Sequence, residues 1–172
     1  MGMLRGRVAW KFGDHFDVDL IIGVKNIAQK DILKLSSVAM ADFSPNFADS
    51  VKPGDLLVAG HNFGYGHPHT QGMAVMKHLG IKAVIAESFA HGFFRGEYGF
   101  GLFLLPCTGI SAFADRGDEL EIDIQNESVI NHSFAKIIRL NPIPRPALDI
   151  MLAGGLLPYL KRRCSDRLRS TE

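Results

Sequence analysis

Residues 60–71 hold the densest chemistry in the chain: Gly60-His61-Asn62-Phe63-Gly64-Tyr65-Gly66-His67-Pro68-His69-Thr70-Gln71. A glycine-rich loop that enters a helix presents N–H groups without intrahelical partners, at the positive end of the helix dipole. An anion can come close to such a loop, so a carboxylate or phosphate cradle is one reading and a plain tight turn is the other. It is not a Walker A loop, since no Gly-Lys-Ser/Thr follows, and it lacks the Rossmann glycine spacing. His67 and His69 flank Pro68. Histidine titrates near neutral pH, which suits acid–base or carboxylate-binding work. Metal binding by this pair needs at least a third ligand, for which His61 and His78 are nearest in sequence. Asp17 and Asp19 stand two apart. In a strand they would share a face; in a turn they would serve as caps. Arg95, among Phe93, Phe94 and Gly96, is either an ordinary surface arginine or a bidentate carboxylate clamp.

The elements that must position these residues follow from pattern. Val8, Trp10 and Phe12 alternate with Arg7, Ala9 and Lys11, which predicts a strand over 6–12. Gly13-Asp14 turns the chain toward the apolar run Leu20-Ile21-Ile22. Ile32, Leu33 and Leu35 suggest a helix over 26–40 with Asp31 near its start. Pro53-Gly54-Asp55 is turn chemistry and delivers a short buried strand, 56–59. Pro68 suits the first turn of a helix carrying Met73, Met76 and Leu79 and ending at Gly80. Residues 81–86 form another apolar strand. Strand, glycine loop, helix and strand make a βαβ unit with a right-handed crossover. A short helix is expected over 88–94 and a strand over 102–105. Strict alternation over 119–124 predicts a half-exposed strand, and 129–131 and 134–140 two more. A helix is expected over 147–152, broken at Ala153-Gly154-Gly155, with a last turn or two over 156–163.

With 172 residues the chain fits one domain, 1–172, with a basic C-terminal tail at about 161–172. A domain of this size buries roughly 70% of its unfolded surface and needs no staples. Lys and Arg total 19 against 18 acids, so no global charge draws it to nucleic acid or a membrane. The run Lys161-Arg162-Arg163 lacks interleaved aromatics and is expected to be a solvated tail or helix end. No segment offers the roughly 20 apolar residues of a bilayer span, and no signal h-region stands at the start. A soluble, cytoplasmic chain is the expectation. Its 2 cysteines, Cys107 and Cys164, cannot supply an iron–sulfur cluster with its usual four thiolates.

Matches to one family run in order from about residue 6 to about 163. The opening Phe12-Gly13-Asp14-His15-Phe16-Asp17-Val18-Asp19-Leu20-Ile21-Ile22 is one. Others are Val51-Lys52-Pro53-Gly54-Asp55, Asn62-Phe63-Gly64-Tyr65-Gly66 and Ala83-Val84-Ile85-Ala86-Glu87-Ser88-Phe89-Ala90. The last is Ala153-Gly154-Gly155-Leu156-Leu157-Pro158-Tyr159-Leu160-Lys161. The chain resembles the small subunit of 3-isopropylmalate dehydratase and so the swivelling domain of the aconitase superfamily. That resemblance implies an α/β fold, a swivelling β/β/α three-layer domain. It implies a hydro-lyase that moves a hydroxyl between neighbouring carbons of a small hydroxy acid. A separate large subunit would carry a [4Fe–4S] cluster, with no cofactor on this chain, and a small carboxylate would be the substrate.

The sequence departs from the family where chemistry is done. After Gly-x-Gly the family usually has Ser-Ser-Arg-Glu-His, the first Ser being the catalytic base and the Arg a carboxylate ligand. Here His67-Pro68-His69-Thr70-Gln71 stand instead, and Ser88-Phe89-Ala90-His91 replaces Ser-Phe-Ala-Arg. Arginine-to-histidine is not conservative at a bidentate site. Asn26-Ile27 stand where the family often has Tyr-Leu in its substrate-recognition loop. Carried over by position, the resemblance makes His67 the catalytic base. It places Asp17, Asp19, Gly66, His69, Thr70, His91 and Arg95 around the substrate. Three functions follow: a dehydratase subunit with a changed substrate, a regulatory or binding partner that has lost the chemistry, or a different reaction assisted by metal at the histidines.

Overall fold

The computed structural model describes residues 2–169. Seven strands form one mixed sheet in the order β4-β3-β2-β1-β5-β6-β7. The strands are β1 (Met3–Phe12), β2 (Leu56–Ala59), β3 (Ala83–Ala86), β4 (Phe103–Pro106), β5 (Glu119–Asp123), β6 (Ser128–Asn131) and β7 (Lys136–Arg139). β1 belongs to both halves. Its first half pairs antiparallel with β5, Met3 opposite Asp123, and its second half pairs parallel with β2, Phe12 opposite Ala59. The register shifts between Val8 and Trp10, where the partners change. Just before it, Gly6 pairs with Leu120 of β5 and passes close to the turn before β2, where a Cβ would lie 2.2 Å from the Gly54 carbonyl oxygen.

Among the described residues seven α-helices complete the fold: α1 (Ile32–Ser37), α2 (Phe47–Ser50), α3 (Thr70–His78), α4 (His91–Glu97), α5 (Ile110–Phe113), α6 (Arg145–Leu152) and α7 (Leu156–Arg169). β2 and β3 are apolar at every position and buried on both faces, as parallel strands are when both sides are covered. Leu57, Ala59, Val84 and Ala86 face one core with Leu35, Met73, Met76 and Phe93 of the helices. Leu56, Val58, Ala83 and Ile85 face a second core with Leu120, Ile122 and Val129 of the antiparallel half. Helices, parallel strands and antiparallel strands are therefore three layers around two cores, the β/β/α arrangement expected.

The βαβ unit forms as its sequence indicates. Met73 and Met76, one turn apart, bury the inner face of α3, and Gly80 closes it at φ 80°. Local boundaries differ from expectation for identifiable reasons. The helix over 26–40 contracts to α1, because the Asp31 carboxylate caps Leu33 N–H at 3.0 Å. It ends where Met40, at φ 55°, turns to donate to the Ile21 carbonyl at 2.9 Å. Pro68 stands just outside α3, whose N-cap is His69. The helix expected at 88–94 begins at His91, because Phe89 is held in a bridge with Phe63. Asp17 and Asp19 are not on a strand; Asp17 caps a 3-10 turn over Val18–Ile21. The basic tail is helical as far as it is described, α7 continuing to Arg169, and its residues 170–172 lie outside the described residues. No described helix is long and apolar enough to cross a membrane.

Candidate active site

Three connections leave the carboxyl ends of β1, β2 and β3, the end of an open α/β sheet where ligands bind. They are stitched to one another by backbone bonds. His15 N–H donates to the His61 carbonyl at 2.7 Å and Val18 N–H to the Tyr65 carbonyl at 2.9 Å. Phe63 N–H donates to the Ser88 carbonyl at 3.0 Å, and Ala90 N–H to the Phe63 carbonyl at 2.9 Å. Beneath them Phe63 stacks on Phe16 at 5.4 Å and meets Phe93 edge-on at 5.6 Å. Aromatic packing of this kind gives the loops a rigid floor.

Above that floor lies an open cleft of about 670 Å³, lined by Asp17, Asp19, Asn62, Tyr65, His67 and Phe93 among others. Two glycines are required by its geometry. Gly64 sits at φ 95°, where a Cβ would lie 2.2 Å from the Phe93 ring. Gly66 sits at φ 94°, where a Cβ would lie 2.1 Å from Asp17 Oδ1. The loop thus reaches the carboxylates only because position 66 has no side chain.

Asp17 Oδ1 accepts the Asp19 N–H at 2.9 Å and so fixes the Asp19 backbone. The Asp19 carboxylate then faces both histidines. His69 Nε2 lies 3.4 Å from Asp19 Oδ1, and His67 Nδ1 lies 3.9 Å from Asp19 Oδ2. Asp19 Oδ1 is buried and accepts no hydrogen bond, so the 3.4 Å approach is an ion-pair distance without hydrogen-bond geometry. His67 is open to solvent, its side chain 93% exposed, whereas His69 is only 28% exposed. At the N-cap of α3 the His69 side chain makes no bond to the first-turn N–H groups. Thr70 is exposed, its hydroxyl 3.4 Å from Gln71 Oε1. Gln71 in turn donates to the Ile27 carbonyl at 3.2 Å and ties the 24–27 segment to the start of α3.

Two other candidates stand elsewhere. His91 opens α4 and lines a separate groove of about 260 Å³ with Glu87, Phe89 and Pro142. Arg95 is exposed in the last turn of α4 and is not among the cleft's lining residues. Among the described residues no Lys or Arg lines the cleft. Asn62, Tyr65 and Phe93 also line the cleft, although no motif marks them as site residues. Asn62 takes φ 55° and its amide lies 3.0 Å from His15 Nδ1, which makes His15 a neighbour of the cleft as well.

Glu87, at the end of β3, anchors the next connection. Its carboxylate accepts the Gly109 N–H at 2.6 Å, the Ser111 N–H at 2.8 Å and the Ser111 hydroxyl. Burial works to raise its pKa, but these bonds and nearby His61 prevail and hold it below the usual range. Glu97, in α4, is the opposite case: burial alone raises it, and its Oε2 has no partner. Among the described residues no group of three or more His, Cys, Asp or Glu side chains comes together to hold a metal ion. The third ligand that the His67/His69 pair would need is therefore not supplied by His61 or His78. Cys107 is buried, its thiol pushed up to about 12 by burial and by Glu87, and Cys164 is exposed on α7.

Comparison with known proteins gives one answer at each level. Residues 21–107 match the family described as Aconitase C-terminal domain. The isopropylmalate/citramalate isomerase small subunit of Methanocaldococcus jannaschii is 37% identical over 164 residues, 95% of this chain and 97% of that one. The methanogen homoaconitase small subunit of Methanothermobacter thermautotrophicus is 39% identical, over 93% of this chain and 92% of that one. The 3-isopropylmalate dehydratase small subunit of Pyrobaculum calidifontis is 40% identical, over 94% and 99%. A crystal structure of 3-isopropylmalate dehydratase from Methanocaldococcus jannaschii superposes with a TM-score of 0.88 at 36% identity, covering 98% of this chain and 99% of that one.

Proposed function

The chain belongs to the family of aconitase C-terminal domains and 3-isopropylmalate dehydratase small subunits, and we propose that it works as the small subunit of a hydro-lyase with a histidine base. Its substrate is a small hydroxy acid. Its partner is a large subunit carrying the iron–sulfur cluster. The observation that carries this reading is the placement of His67. It follows Gly66 at the mouth of the cleft, beside the Asp17–Asp19 turn, at the position where the family resemblance puts its base.

Dehydration breaks a C–H bond beside a carboxylate. Its electron pair becomes the C=C bond as the neighbouring C–O bond breaks and the hydroxyl leaves. This chain's share of that event is the proton. A neutral imidazole near pH 7 is a competent acceptor, and a positioned base of this kind contributes about 10²–10⁴ in rate. His67 is exposed in this chain by itself and would become enclosed when the large subunit covers the cleft, which excludes water from the reacting carbon. His69 and the unbonded N–H groups at the start of α3 would receive a substrate carboxylate. Thr70, His91 and Arg95 do not line the cleft, so Arg95 reaches a carboxylate only if α4 or the substrate approaches from its outer side. The cluster does not fit this chain: one buried cysteine and one exposed cysteine cannot hold it, and it belongs to the partner.

A competing reading, a subunit that has lost the chemistry and serves as a binding partner, is favoured by one observation. Two carboxylates and no Lys or Arg line the cleft, so it offers a dicarboxylate no permanent positive charge. In the hydro-lyase reading the missing positive charge comes from the unbonded N–H groups at the start of α3 and from the partner. Free cysteines and near-neutral charge fit work in the cytoplasm, with neither nucleic acid nor membrane as partner. Affinity purification of the chain from its native source, with iron analysis of what accompanies it, tests the proposal. A larger iron-containing protein in fixed ratio is expected. Recovery of the chain by itself, free of iron, would move the assignment to a stand-alone binding protein.

A further inference from the structure

We propose that Asp19 is the positioning residue for both imidazoles, holding His67 with its proton on Nδ1 and His69 with a proton on Nε2. The inference deepens the hydro-lyase reading and rests on it for its catalytic meaning. Its structural content stands separately. Of the two cleft carboxylates, Asp19 is the one that both imidazoles face. Asp17 Oδ1 is taken by the Asp19 N–H. Asp19 Oδ1 is buried with no hydrogen bond, and His69 Nε2 lies 3.4 Å from it. A buried carboxylate oxygen is an acceptor only, so it selects the imidazole form that carries hydrogen on the atom facing it. For His69 that atom is Nε2. The other oxygen, Oδ2, faces His67 Nδ1 at 3.9 Å. In an unliganded site such contacts are long and tighten when substrate binds.

The consequence is a division of labour. With its proton on Nδ1, His67 carries its lone pair on Nε2, the far ring atom, which is the one a substrate C–H can meet. The carboxylate then stabilises the imidazolium formed when Nε2 takes the proton, the same logic by which an acid orients a histidine base in a triad. His69, tied through Nε2, is held at the N-cap of α3 and stays partly buried. One carboxylate thus replaces by orientation what the histidines lose against a serine alkoxide and a guanidinium.

The test uses the full chain with ¹⁵N-labelled histidine and two-bond ¹H–¹⁵N spectra, which distinguish Nδ1–H from Nε2–H tautomers. His132, 3.3 Å from Glu121 on the antiparallel half, is an internal reference that must not move. At a pH where the rings are neutral, the wild type is expected to show His69 predominantly Nε2–H and His67 enriched in Nδ1–H. In Asp19→Asn both should relax to mixed tautomers, and Asp19→Glu should recover part of the preference. Unchanged His67 and His69 spectra in a folded Asp19→Asn chain would overturn the proposal. Should Asp19→Asn fail to fold, Asp19→Ala takes its place: a wild-type His132 signal with altered His67 and His69 supports the proposal, and three unaltered signals refute it. In the assembled enzyme Asp19→Asn should lower kcat at least tenfold through His67 and raise KM through the loosened His69, while Asp19→Glu restores part of both. Absence of any turnover in the wild-type complex would sink the hydro-lyase reading and leave the tautomer result standing.

Discussion

At the scale of single residues, the account depends on His67 and on the glycine before it. His67 is almost fully exposed and supports no packing, so His67→Ala should leave the melting temperature within about 1 °C while turnover of the assembled enzyme falls about 10²–10⁴-fold. Wild-type turnover in that variant would remove His67 from the chemistry. Gly66→Ala is a different kind of change. A methyl group there meets Asp17 Oδ1 at 2.1 Å from a positive-φ backbone, so loop and carboxylate must move apart. Strain of this kind costs about 1–3 kcal/mol, or several degrees in a thermal melt of a domain this size. The melt should fall and the ordering of the two histidines should be lost with it. The chemical residues of the site were visible in the sequence by type, since Asp17, Asp19, Gly66, His67 and His69 all meet in the cleft region. Their partnership was not visible. Asp19 lies some fifty positions from the histidines, and the pairing of Asp17 with Tyr65 and its neighbouring backbone bonds bring them together.

At the scale of elements, two buried carboxylates should behave oppositely with pH. Glu87 is held below its ordinary pKa, so the stability it contributes is present above the unfolded value near 4.5 and is lost as pH falls through the folded value. Glu97 is held above its ordinary pKa, so its buried charge is a liability at neutral and alkaline pH that disappears on acidification. Glu97→Met should therefore raise the stability of α4 at pH 8 and change it little at pH 4. Glu87→Ala, which leaves two N–H groups and a hydroxyl unpaired at the start of α5, should cost about 2–3 kcal/mol at pH 8 and less at pH 4. Denaturant melts at the two pH values check both. A Glu97→Met chain that is less stable at pH 8 would show that Oε2 has a partner in solution. The βαβ unit was legible because a glycine loop, a Met73–Met76 face and a closing Gly80 agree locally. The helix over 26–40 was overextended because a side-chain cap at Asp31 and a left-handed Met40 outweighed a weak apolar period.

At the scale of the whole molecule, the alternation over 119–124 and the apolar runs at 56–59 and 83–86 were enough to separate a half-exposed sheet from a buried one. What they could not show is that β1 serves both. That sharing depends on a register shift and on the Gly6–Gly54 approach, neither of which has a periodic signature. The layered result places all three cleft-forming connections at one end of the parallel strands and leaves His67 facing outward. If His67 is the base proposed, its exposure leaves the reacting carbon open to water, so the molecule should be inactive by itself and active only when covered. The measurement that tests this most directly is reconstitution with the large subunit from the same source. Small hydroxy acids are the substrates, and the ultraviolet absorbance of the C=C bond formed is followed. Turnover is predicted for the wild-type pair, none for either subunit separately, and a complex that assembles but does not turn over for His67→Ala. A stable complex that dehydrates its substrate equally well with alanine at position 67 would contradict the account.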